Sequence, residues 1–464
     1  MVSTRLICTV FVFSQLFLVA SAVSQDAPPP AQTLFTNVNV FNGTDDRLYE
    51  NHSVLVEGNL IKSISADTIE PGPNATVIDG GGRTLMPGLI DSHVHFYLSM
   101  DGGRPAMEAS RWDYMTSMGA AAAGEWFADG FTTVRDLGGM LDGLRTVIDA
   151  GLIDGPRMYL AGSTISQSSG HGDMTLPGMN NDPRHANLVR LGVTKIADGE
   201  VEVRRAVRQN FSVGGSFAKI MIGSGVAGSK SPMFAGQYSD EEILAAVEEA
   251  QRQDGYVAAH IYIDEHIKRA LTLGVLTIEH GQFIQEDTAR QLKDQGGYIS
   301  PFLASIASDA ILKHPIFGQP PFLARTMEMR DGAKDFVEIM NKVRPNIVFS
   351  SDIVNSNGLA ARLHRDHEKW VFAESFGNFF ALKAMTSIPA KLAAETGRAN
   401  PYPHPLGVIE KDAYADIILV DGNPLEDIRV LGGNPEWFEA QPREKGISTI
   451  PFIMKDGKVY KNTL

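Results

Sequence analysis

The stretch "LMPGLIDSHVHF", Leu85–Phe96, decides the fold, because its apolar run ends in two histidines one residue apart. Successive side chains of a β-strand point to opposite faces, so His93 and His95 share one face and Val94 takes the other. One short strand has no obvious structural use for two imidazoles on the same face. The pair therefore predicts a functional site whose other members come from elsewhere in the chain.

Beyond this stretch, strand-like runs alternate with helix-like stretches such as "SDEEILAAVEEAQRQDG". The strand-like runs are "LIDSHVHF", "FTTVRDLGG", "RMYLAGS", "SFAKIMIGSG", "YVAAHIY", "VLTIEHG", "GYISPFL" and "PNIVFSSD". Alternating strands and helices indicate a parallel sheet, and eight repeats are what a closed (β/α)8 barrel requires. A doubly wound open sheet is the alternative, but its first strand normally leads into a glycine-rich turn, and here the turn is "DSHVHF". We predict an α/β protein with a TIM-like (β/α)8 catalytic barrel over residues 87–405.

The two ends of the chain carry a different pattern, short strands in which apolar and polar residues alternate. Near the amino terminus the pattern includes "TLFTNVNVFNG" and "HSVLVEGNLIKSIS", and near the carboxyl terminus it includes "ADIILVDGNP" and "STIPFIMKDGKVYKN". Gly, Asn and Asp, which favour turns, separate the runs. We predict a small composite β-sandwich built from residues 32–86 and 406–464.

The first residues, "MVSTRLICTVFVFSQLFLVASA", differ from everything that follows. One arginine precedes an apolar run over residues 6–19, and the small residues "ASA" that follow suit cleavage of a signal peptide. A membrane anchor is the alternative, but the run is short for a span and two polar residues interrupt it. We predict a signal peptide over residues 1–22, a disordered leader over residues 23–31, and an exported protein, periplasmic or secreted.

Composition narrows both the partners and the metal chemistry. The chain has 41 Lys and Arg against 55 Asp and Glu, which argues against nucleic-acid binding and against membrane binding once the signal is cleaved. The single cysteine, Cys8, lies in the predicted signal, so the mature chain would hold a metal only through histidine, carboxylate or modified lysine. We expect a small-molecule or dipeptide substrate. The oligomeric state stays open, with a homo-oligomer allowed.

Reactive residues of a (β/α)8 barrel lie at the carboxyl ends of the strands and face one mouth. Residues that could bind a metal lie at or near the carboxyl ends of five of the predicted strands. They are His93, His95, Lys219, His260, His280 and Asp352. Taken singly, a buried histidine has a structural interpretation as a hydrogen-bonded core residue, and a strand lysine has one as a solvated edge residue. Together, four imidazoles, one lysine and one carboxylate favour a site for two divalent metal ions, zinc being the expected metal.

Lys219 is the unusual member, because a protonated ammonium repels cations. It stands between Ala218 and Ile220 in an apolar strand. Burial shifts a lysine toward its neutral form. A neutral lysine amine can add carbon dioxide and become a carbamate, an anionic ligand able to bridge two metals. We predict that Lys219 is carboxylated.

These motifs resemble a known family. "PGLIDSHVHF", the isolated lysine of the fourth strand, "AAHIY", "TIEHG" and "FSSD" look like the metal-binding signature of the amidohydrolase superfamily, and the resemblance covers nearly the whole mature chain. It implies that the histidine pair and the aspartate hold one ion, that the later histidines hold the second, and that a carboxylated lysine and a hydroxide bridge them.

Within the superfamily, "AGSTISQSSGHGD" and "IADGEVEVRRAVRQNFSVGGSFAKIMIGSGV" resemble the branch of Xaa-Pro and Xaa-Arg dipeptidases and ochratoxin-degrading carboxypeptidase-like hydrolases. That branch implies cleavage of amide bonds near a free carboxylate. Many of its members have a second histidine two residues after the ligand of the fifth strand, where this chain has Tyr262. The loop "IVNSNG" after Asp352 also departs from the pattern. Both departures concern the substrate pocket, so we assign Tyr262 to substrate binding.

The reaction follows from the metal site. Two cations that share a water generate a hydroxide near neutral pH, and Asp352 is the candidate general base that passes the proton to the leaving amine. His171, in "SSGHGD", is the candidate donor to the oxyanion or to the substrate carboxylate, with a loop-structuring role as the alternative.

We therefore predict a binuclear metal-dependent amidohydrolase, a dipeptidase or carboxypeptidase-like peptidase acting on N-acyl amino acids or dipeptides. An ester, lactone or phosphotriester hydrolase is the alternative, since the same two metals serve those reactions. A catalytically silent binding homologue is a further alternative, but such proteins usually lose metal ligands, and here all six residues are present.

Overall fold

A computed structural model describes residues 30–176, 182–228 and 230–464. The predicted signal peptide and most of the predicted leader lie outside the described residues. The strands are β1 Gln32–Val40, β2 Tyr49–Glu57, β3 Leu60–Ser65, β4 Thr76–Asp79, β5 Thr84–Pro87, β6 Leu89–Val94, β7 Phe131–Asp136, β8 Arg157–Leu160, β9 Thr164–Ser166, β10 Thr194–Ile196, β11 Ala218–Met221, β12 Val257–Ile261, β13 Thr277–His280, β14 Tyr298–Ser300, β15 Asn346–Ile347, β16 Ile417–Val420, β17 Phe452–Lys455 and β18 Lys458–Asn462.

The helices surround these strands. The α-helices are α1 Gly103–Glu108, α2 Trp112–Ala128, α3 Asp142–Asp149, α4 Asn187–Arg190, α5 Glu200–Ser212, α6 Asp240–Arg252, α7 Asp264–Thr272, α8 Glu286–Asp294, α9 Ala304–Ala307, α10 Leu323–Gly332, α11 Phe336–Val343, α12 Gly358–Phe376, α13 Asn378–Ala384 and α14 Ser387–Ala394. Short 3-10 turns cover Phe96–Leu98, Pro183–His185, Asp309–Lys313, Gly397–Ala399 and Ile428–Leu431. None of the helices in the described ranges combines the length and the apolar character that crossing a membrane requires.

The barrel consists of eight parallel strands in the predicted order. β6, β7 and β8 pair with one another, and β11, β12, β13, β14 and β15 form a second run. Three backbone hydrogen bonds close the ring: Ser216 N donates to Leu160 O (2.8 Å), Ser92 N donates to Phe349 O (2.9 Å), and Asp352 N donates to His93 O (2.8 Å). The predicted (β/α)8 fold is confirmed, and all eight strands occur where the sequence pattern indicated them.

The helices bury one face against the barrel, as α6 illustrates. Ser239 Oγ accepts a hydrogen bond from Glu242 N (3.3 Å), and the Glu242 carboxylate accepts one from Ser239 N (2.7 Å). This reciprocal pair is a capping box, which gives two backbone N–H groups at the start of the helix a partner. Ile243 and Val247 lie on the buried face. Burying such a side chain fully contributes about 1.5–3 kcal/mol. The helix thereby supports β11 and β12, which carry Lys219 and His260.

Two strands in the barrel region were not predicted. β9 and β10 are three residues long and pair in parallel, and β9 contacts β11 through Ile165 and Ile220. Runs this short carry no detectable alternation. They hold the segment after β8 against the barrel mouth, where Gly172 N donates to Ser166 Oγ (3.1 Å). This arrangement brings His171 to the mouth.

The chain ends meet in one sheet of order β18-β17-β16-β5-β1-β2-β3, with β4 paired to β1. The antiparallel β5–β16 pair joins the amino-terminal strands to the carboxyl-terminal strands. Apolar side chains of both halves, among them Phe35, Leu85 and Phe452, pack into one core. Arg157 at the start of β8 binds Asp416 beside that sheet (2.9 Å) and so links it to the barrel. The exact domain boundaries stay predictions.

Candidate active site

A cavity of about 800 Å³ opens at the carboxyl end of the barrel strands, the end at which such barrels carry their active sites. Every residue that the sequence assigned to the site lines this cavity. These residues are His93, His95, His171, Lys219, His260, Tyr262, His280 and Asp352. Side chains from six different loops and strands, up to 259 positions apart in the sequence (93 to 352), thus converge on one space.

One end of the cluster is a tight group of ligand atoms. His93 Nε2 lies 3.1 Å from His95 Nε2, and each of these atoms lies 3.4 Å from Asp352 Oδ1. One ligand atom from each of these three residues lies within 4.8 Å of the other two. Within the described residues, this is the group of histidines and carboxylates whose spacing could hold a metal ion. Two imidazole nitrogens and a carboxylate oxygen suit zinc and similar divalent ions.

The remaining imidazoles continue from this trio. His280 Nδ1 lies 3.7 Å from Asp352 Oδ2, and the His280 and His260 ring centroids are 4.5 Å apart. The His260 ring stacks on His171 at 3.8 Å between centroids. His260 Nε2 is buried, and no described residue forms a hydrogen bond with it. A buried ring nitrogen left without a partner is costly for a purely structural histidine but is what a metal ligand requires.

The electrostatics keep these rings in the form that binds metal. Burial lowers the pKa of His93 to about 4, and it lowers the pKa of His260 and of His280 well below the ordinary value. Burial raises the pKa of Asp352, but the neighbouring histidines outweigh it and hold that pKa well below its usual range. At neutral pH His93, His260 and His280 are therefore uncharged and face an ionised carboxylate, which is a good arrangement for a divalent cation.

Lys219 is buried and lines the same cavity from β11. Burial lowers the pKa of its amine to about 8, although the nearby carboxylates of Glu279 and Asp352 oppose the shift. A substantial fraction of the amine is then neutral in mildly alkaline medium, and only the neutral amine can react with carbon dioxide. The local environment therefore fits the predicted carbamate.

Two site residues have strained backbones. His280 has φ of 75° and Asp352 has φ of 44°, although neither is a glycine. Left-handed backbone costs a non-glycine residue about 1 kcal/mol or more, and such strain clusters at functional sites. His280 is the last residue of β13, Asp352 lies five residues after the end of β15, and both residues line the cavity.

Sequence reasoning missed Glu279, which lies next to His280. Its Oε2 atom is 2.9 Å from His93 Nδ1, and its Oε1 atom is 2.6 Å from Arg135 Nη2. Both Glu279 and Arg135 are buried, and Arg135 also donates to Ser92 O (2.8 Å). The carboxylate fixes the His93 ring so that Nε2 points into the cavity, the role that outer partners of metal-binding histidines have. The sequence does place Glu279 and Arg135, two residues of opposite charge, within apolar strands. Because buried charges need partners, this was the available signal that the two residues pair.

Buried aspartates fix the loops that carry the histidine pair. Asp136, at the end of β7, accepts hydrogen bonds from Phe96 N (2.9 Å) and Gly138 N (3.0 Å). Asp91 accepts one from Ser351 N (3.1 Å), beside Asp352. Burial raises the pKa of each aspartate to about 6, and these donors oppose the shift. Both carboxylates therefore position the site without lining the cavity.

The cavity wall also includes Tyr262, which the sequence predicted, and Arg104, which it did not. The Tyr262 ring packs against His280, with centroids 5.3 Å apart. Arg104, at the start of α1, lines the cavity and donates from Nη2 to Ala227 O in the loop after β11 (3.1 Å). The His171 ring stacks on His260, and the backbone N of His171 donates to Gln237 Oε1 (3.0 Å).

Comparison with known proteins agrees with this geometry. Ochratoxinase from Aspergillus niger is 30% identical over 406 residues, which cover 81% of this chain and 75% of the relative. A prolidase solved in complex with N-methylphosphonate-L-proline superposes with a TM-score of 0.80 at 31% identity, covering 93% of this chain and all of that chain (100%). A Xaa-Pro dipeptidase with methionine bound in its active site gives a TM-score of 0.78 at 27% identity, again covering 93% and 100%.

These relatives belong to the branch that the sequence motifs predicted, and barrel folds with an additional domain are shared among them. A family model described as the amidohydrolase family matches residues 84–461, from β5 through β18. The match thus includes every residue that lines the cavity with a predicted metal-binding or catalytic role. The chain therefore belongs to the amidohydrolase family and is a hydrolytic enzyme.

Proposed function

We propose that this protein is a binuclear metal-dependent hydrolase of amide bonds, a dipeptidase or carboxypeptidase-like enzyme that acts on N-acyl amino acids or dipeptides. The observation that carries the proposal is the group formed by His93, His95 and Asp352, whose ligand atoms lie within 4.8 Å of one another at the floor of the cavity. The likeness to ochratoxinase and to prolidases supports the bond type.

The residues divide into two ligand sets. His93, His95 and Asp352 would hold one ion, and His260 and His280 would hold the other. Carboxylated Lys219 would contribute to both. When bound, two such cations lower the pKa of a shared water and polarise the carbonyl that it attacks. Zinc fits a donor set of imidazole nitrogens and carboxylate oxygens that lacks thiolate.

Asp352 acts as the proton carrier in this proposal. Its carboxylate is ionised, because the surrounding histidines hold its pKa well below the ordinary value, and its side chain is 18% exposed toward the cavity. It takes a proton from the attacking water and gives that proton to the departing amine, which must leave protonated.

His171 and Tyr262 act on the substrate. Burial, together with the cations of Arg104 and Lys219, lowers the pKa of His171 to about 3, so the ring is neutral at working pH. A neutral imidazole can still donate one hydrogen bond, either to the oxygen that becomes negative during attack or to the substrate carboxylate. Tyr262 closes the same side of the cavity and restricts what fits beside His280.

The test is hydrolysis of a panel of N-acyl amino acids and dipeptides by zinc-replete protein, repeated after chelation and after zinc is restored. We expect amine release from panel members, loss after chelation and recovery with zinc. Carboxylic esters, lactones and a phosphotriester belong in the panel, because faster turnover of those compounds would reassign the reaction class. Amide hydrolysis that ignores the chelator would overturn the metal mechanism.

A matched control separates the site from the fold. His93→Ala and His185→Ala each remove one histidine from the chain, but His185 lies in a 3-10 turn and does not line the cavity. We expect the first variant to lose metal and activity and the second to keep both. Equal losses in the two variants would show that stability, and not the site, controls activity.

We also propose that the enzyme acts outside the cytoplasm. The support is the apolar run over residues 6–19 and the small residues that follow it. Amino-terminal sequencing of protein isolated from the producing cells should find a chain that begins near Val23 in the periplasmic or extracellular fraction. Full-length chain retained in the cytoplasm would refute this proposal.

A further inference from the structure

A short turn over residues 314–317 forms part of the cavity wall. Pro315, Ile316 and Phe317 line the cavity, and all three side chains are apolar. Phe317 is half-buried, and its ring packs edge to face against Phe322, with centroids 5.9 Å apart. Phe322 lines the cavity as well. An apolar surface of this kind is suited to the apolar part of a ligand.

A single side-chain atom holds the backbone of this turn. The Nδ1 atom of buried His314 accepts hydrogen bonds from Ile316 N (3.1 Å) and from Phe317 N (3.1 Å). Because backbone N–H groups only donate, Nδ1 is unprotonated and the ring proton is on Nε2. A backbone N–H group in an apolar wall costs free energy when it loses its partner. The His314 ring therefore stabilises the turn that places Ile316 and Phe317 in the wall.

Aromatic rings fix the position of His314 itself. The His314 ring lies edge to face with the rings of Trp437 and Phe438, at centroid distances of 5.9 Å and 5.6 Å. Those two rings stack on each other at 4.5 Å. On its other contact the His314 ring lies 4.7 Å from the Phe317 ring. The Nδ1 acceptor is thus held between a stacked aromatic pair and the cavity wall.

We propose that His314 positions the apolar wall of the cavity and thereby sets the preference of the enzyme for substrates with large apolar groups. This inference rests on the proposed function and adds a determinant of its substrate class. His314 is a positioning residue, because it acts on the substrate through Ile316 and Phe317. A large apolar substrate gains contacts with a fixed wall that a small substrate does not reach, so the preference depends on the order of the turn.

The chain itself shows which substitution preserves the turn. Asn42 Oδ1 accepts hydrogen bonds from Thr44 N (2.9 Å) and Asp45 N (2.9 Å), two and three positions further along. His314 Nδ1 accepts from the residues at the same two spacings. His314→Asn can therefore keep both hydrogen bonds. His314→Phe keeps a ring against Trp437 and loses both.

The experiment measures kcat and KM of zinc-replete enzyme for N-benzoyl-L-phenylalanine, which is large on both sides of the amide, and for N-acetyl-L-alanine, which is small on both. Wild-type enzyme should prefer the large substrate in kcat/KM. His314→Phe should reduce that preference by about tenfold, since each lost hydrogen bond is worth a factor of about 2–10. The loss should appear as a higher KM for the large substrate at unchanged kcat. His314→Asn should keep the wild-type preference, and an unchanged preference in His314→Phe would overturn the inference.

His367→Phe is the matched control. The His367 ring also stacks on Trp437, at 5.4 Å, but its nitrogens contact Asn434 O (3.1 Å) and Ser308 Oγ (2.7 Å) rather than the wall turn. We expect this variant to keep the wild-type preference. A loss equal to that of His314→Phe would show that packing around Trp437, and not the Nδ1 acceptor, shapes the wall. If His314→Phe does not fold, His314→Leu takes its place with the same expectations.

A binding measurement separates this inference from the proposed function. Calorimetry on chelated, inactive protein should show that wild type, His314→Asn and His367→Phe bind N-benzoyl-L-phenylalanine equally and that His314→Phe binds it about tenfold more weakly. If wild-type enzyme cleaves neither compound while binding depends on His314 in this way, the proposed reaction fails and the positioning role stands. If the enzyme cleaves both compounds and His314→Phe binds as wild type does, the reaction stands and the positioning role fails.

Discussion

Glu279→Gln tests how the barrel orients His93, the first of the proposed metal ligands. The substitution keeps the size of the side chain but removes its charge. The Glu279 carboxylate contacts both neighbours: Oε2 lies 2.9 Å from His93 Nδ1, and Oε1 accepts a hydrogen bond from Arg135 Nη2 (2.6 Å). A glutamine has one oxygen and one NH2 group, so it cannot accept from both residues at once.

The structure sets the size of two separate effects. Loss of an outer partner of a metal-binding histidine typically reduces metal affinity by about 10–100-fold, or about 1.4–2.7 kcal/mol. Removing the charge partner of buried Arg135 destabilises the fold by about 3 kcal/mol, the lower end of the range for a broken buried pair, because glutamine retains a hydrogen bond to the guanidinium. Arg135 also retains its contact over the Phe217 ring, at 4.7 Å.

The assay is competition for zinc against a chromophoric chelator, together with thermal unfolding of the metal-free proteins. Glu249→Gln is the matched control, because Glu249 is a buried carboxylate paired with Arg208 (2.8 Å) on helices outside the cavity. We expect both variants to lose stability and only Glu279→Gln to lose zinc affinity. A folded Glu279→Gln protein with wild-type zinc affinity would refute the orienting role.

Three further predictions concern single side chains. Lys219→Ala should lose metal and activity together, and a short-chain carboxylic acid should restore part of both. Its metal affinity should fall by more than about 100-fold, the upper value for the loss of a residue that only orients a ligand. Unchanged metal content would mean that Lys219 is no ligand. His171→Ala should lower kcat by about 10²–10³-fold at unchanged metal content, whereas a role confined to the loop would lower the melting temperature and leave kcat intact. Asp129 receives hydrogen bonds from Arg365 (2.5 Å) and Arg443 (2.8 Å) in the interior, so Asp129→Asn should cost about 3–5 kcal/mol of unfolding free energy. Burial raises the pKa of Asp129, but the two arginines hold it well below its usual range, so the stabilisation is present above pH of about 4 and declines as pH falls; denaturant titrations from pH 7 to pH 3 should show the wild type and the variant converging, and a constant difference would contradict this assignment.

The parts of the fold that repeat were predictable from the sequence. Each barrel strand is recognisable as an apolar run between helix-like stretches. A parallel barrel places the residues at the carboxyl ends of those runs at one mouth. For this reason the sequence alone groups His93, Lys219 and Asp352, although 259 positions separate the first from the last.

Residues whose roles depend on a neighbour from another strand were not predictable in the same way. Glu279 acts on His93 across the barrel, and nothing in "TIEHG" indicates which imidazole it meets. Arg104 stands in "SMDGGRPAME", which shows no periodic pattern, and its position depends on a contact with Ala227 more than a hundred residues away. Long-range pairing of this kind is decided by tertiary packing and leaves little local signal.

The central claim is that two cations held by the barrel mouth perform the hydrolysis, and a zinc titration of metal-free protein tests it most directly. Zinc bound per chain is measured by mass spectrometry, alongside the rate of amide cleavage on the same samples. We predict that activity is absent without metal, rises as zinc is added and reaches its plateau at two equivalents per chain. Full activity in metal-free protein, or a plateau at one equivalent with no second ion bound, would contradict the account.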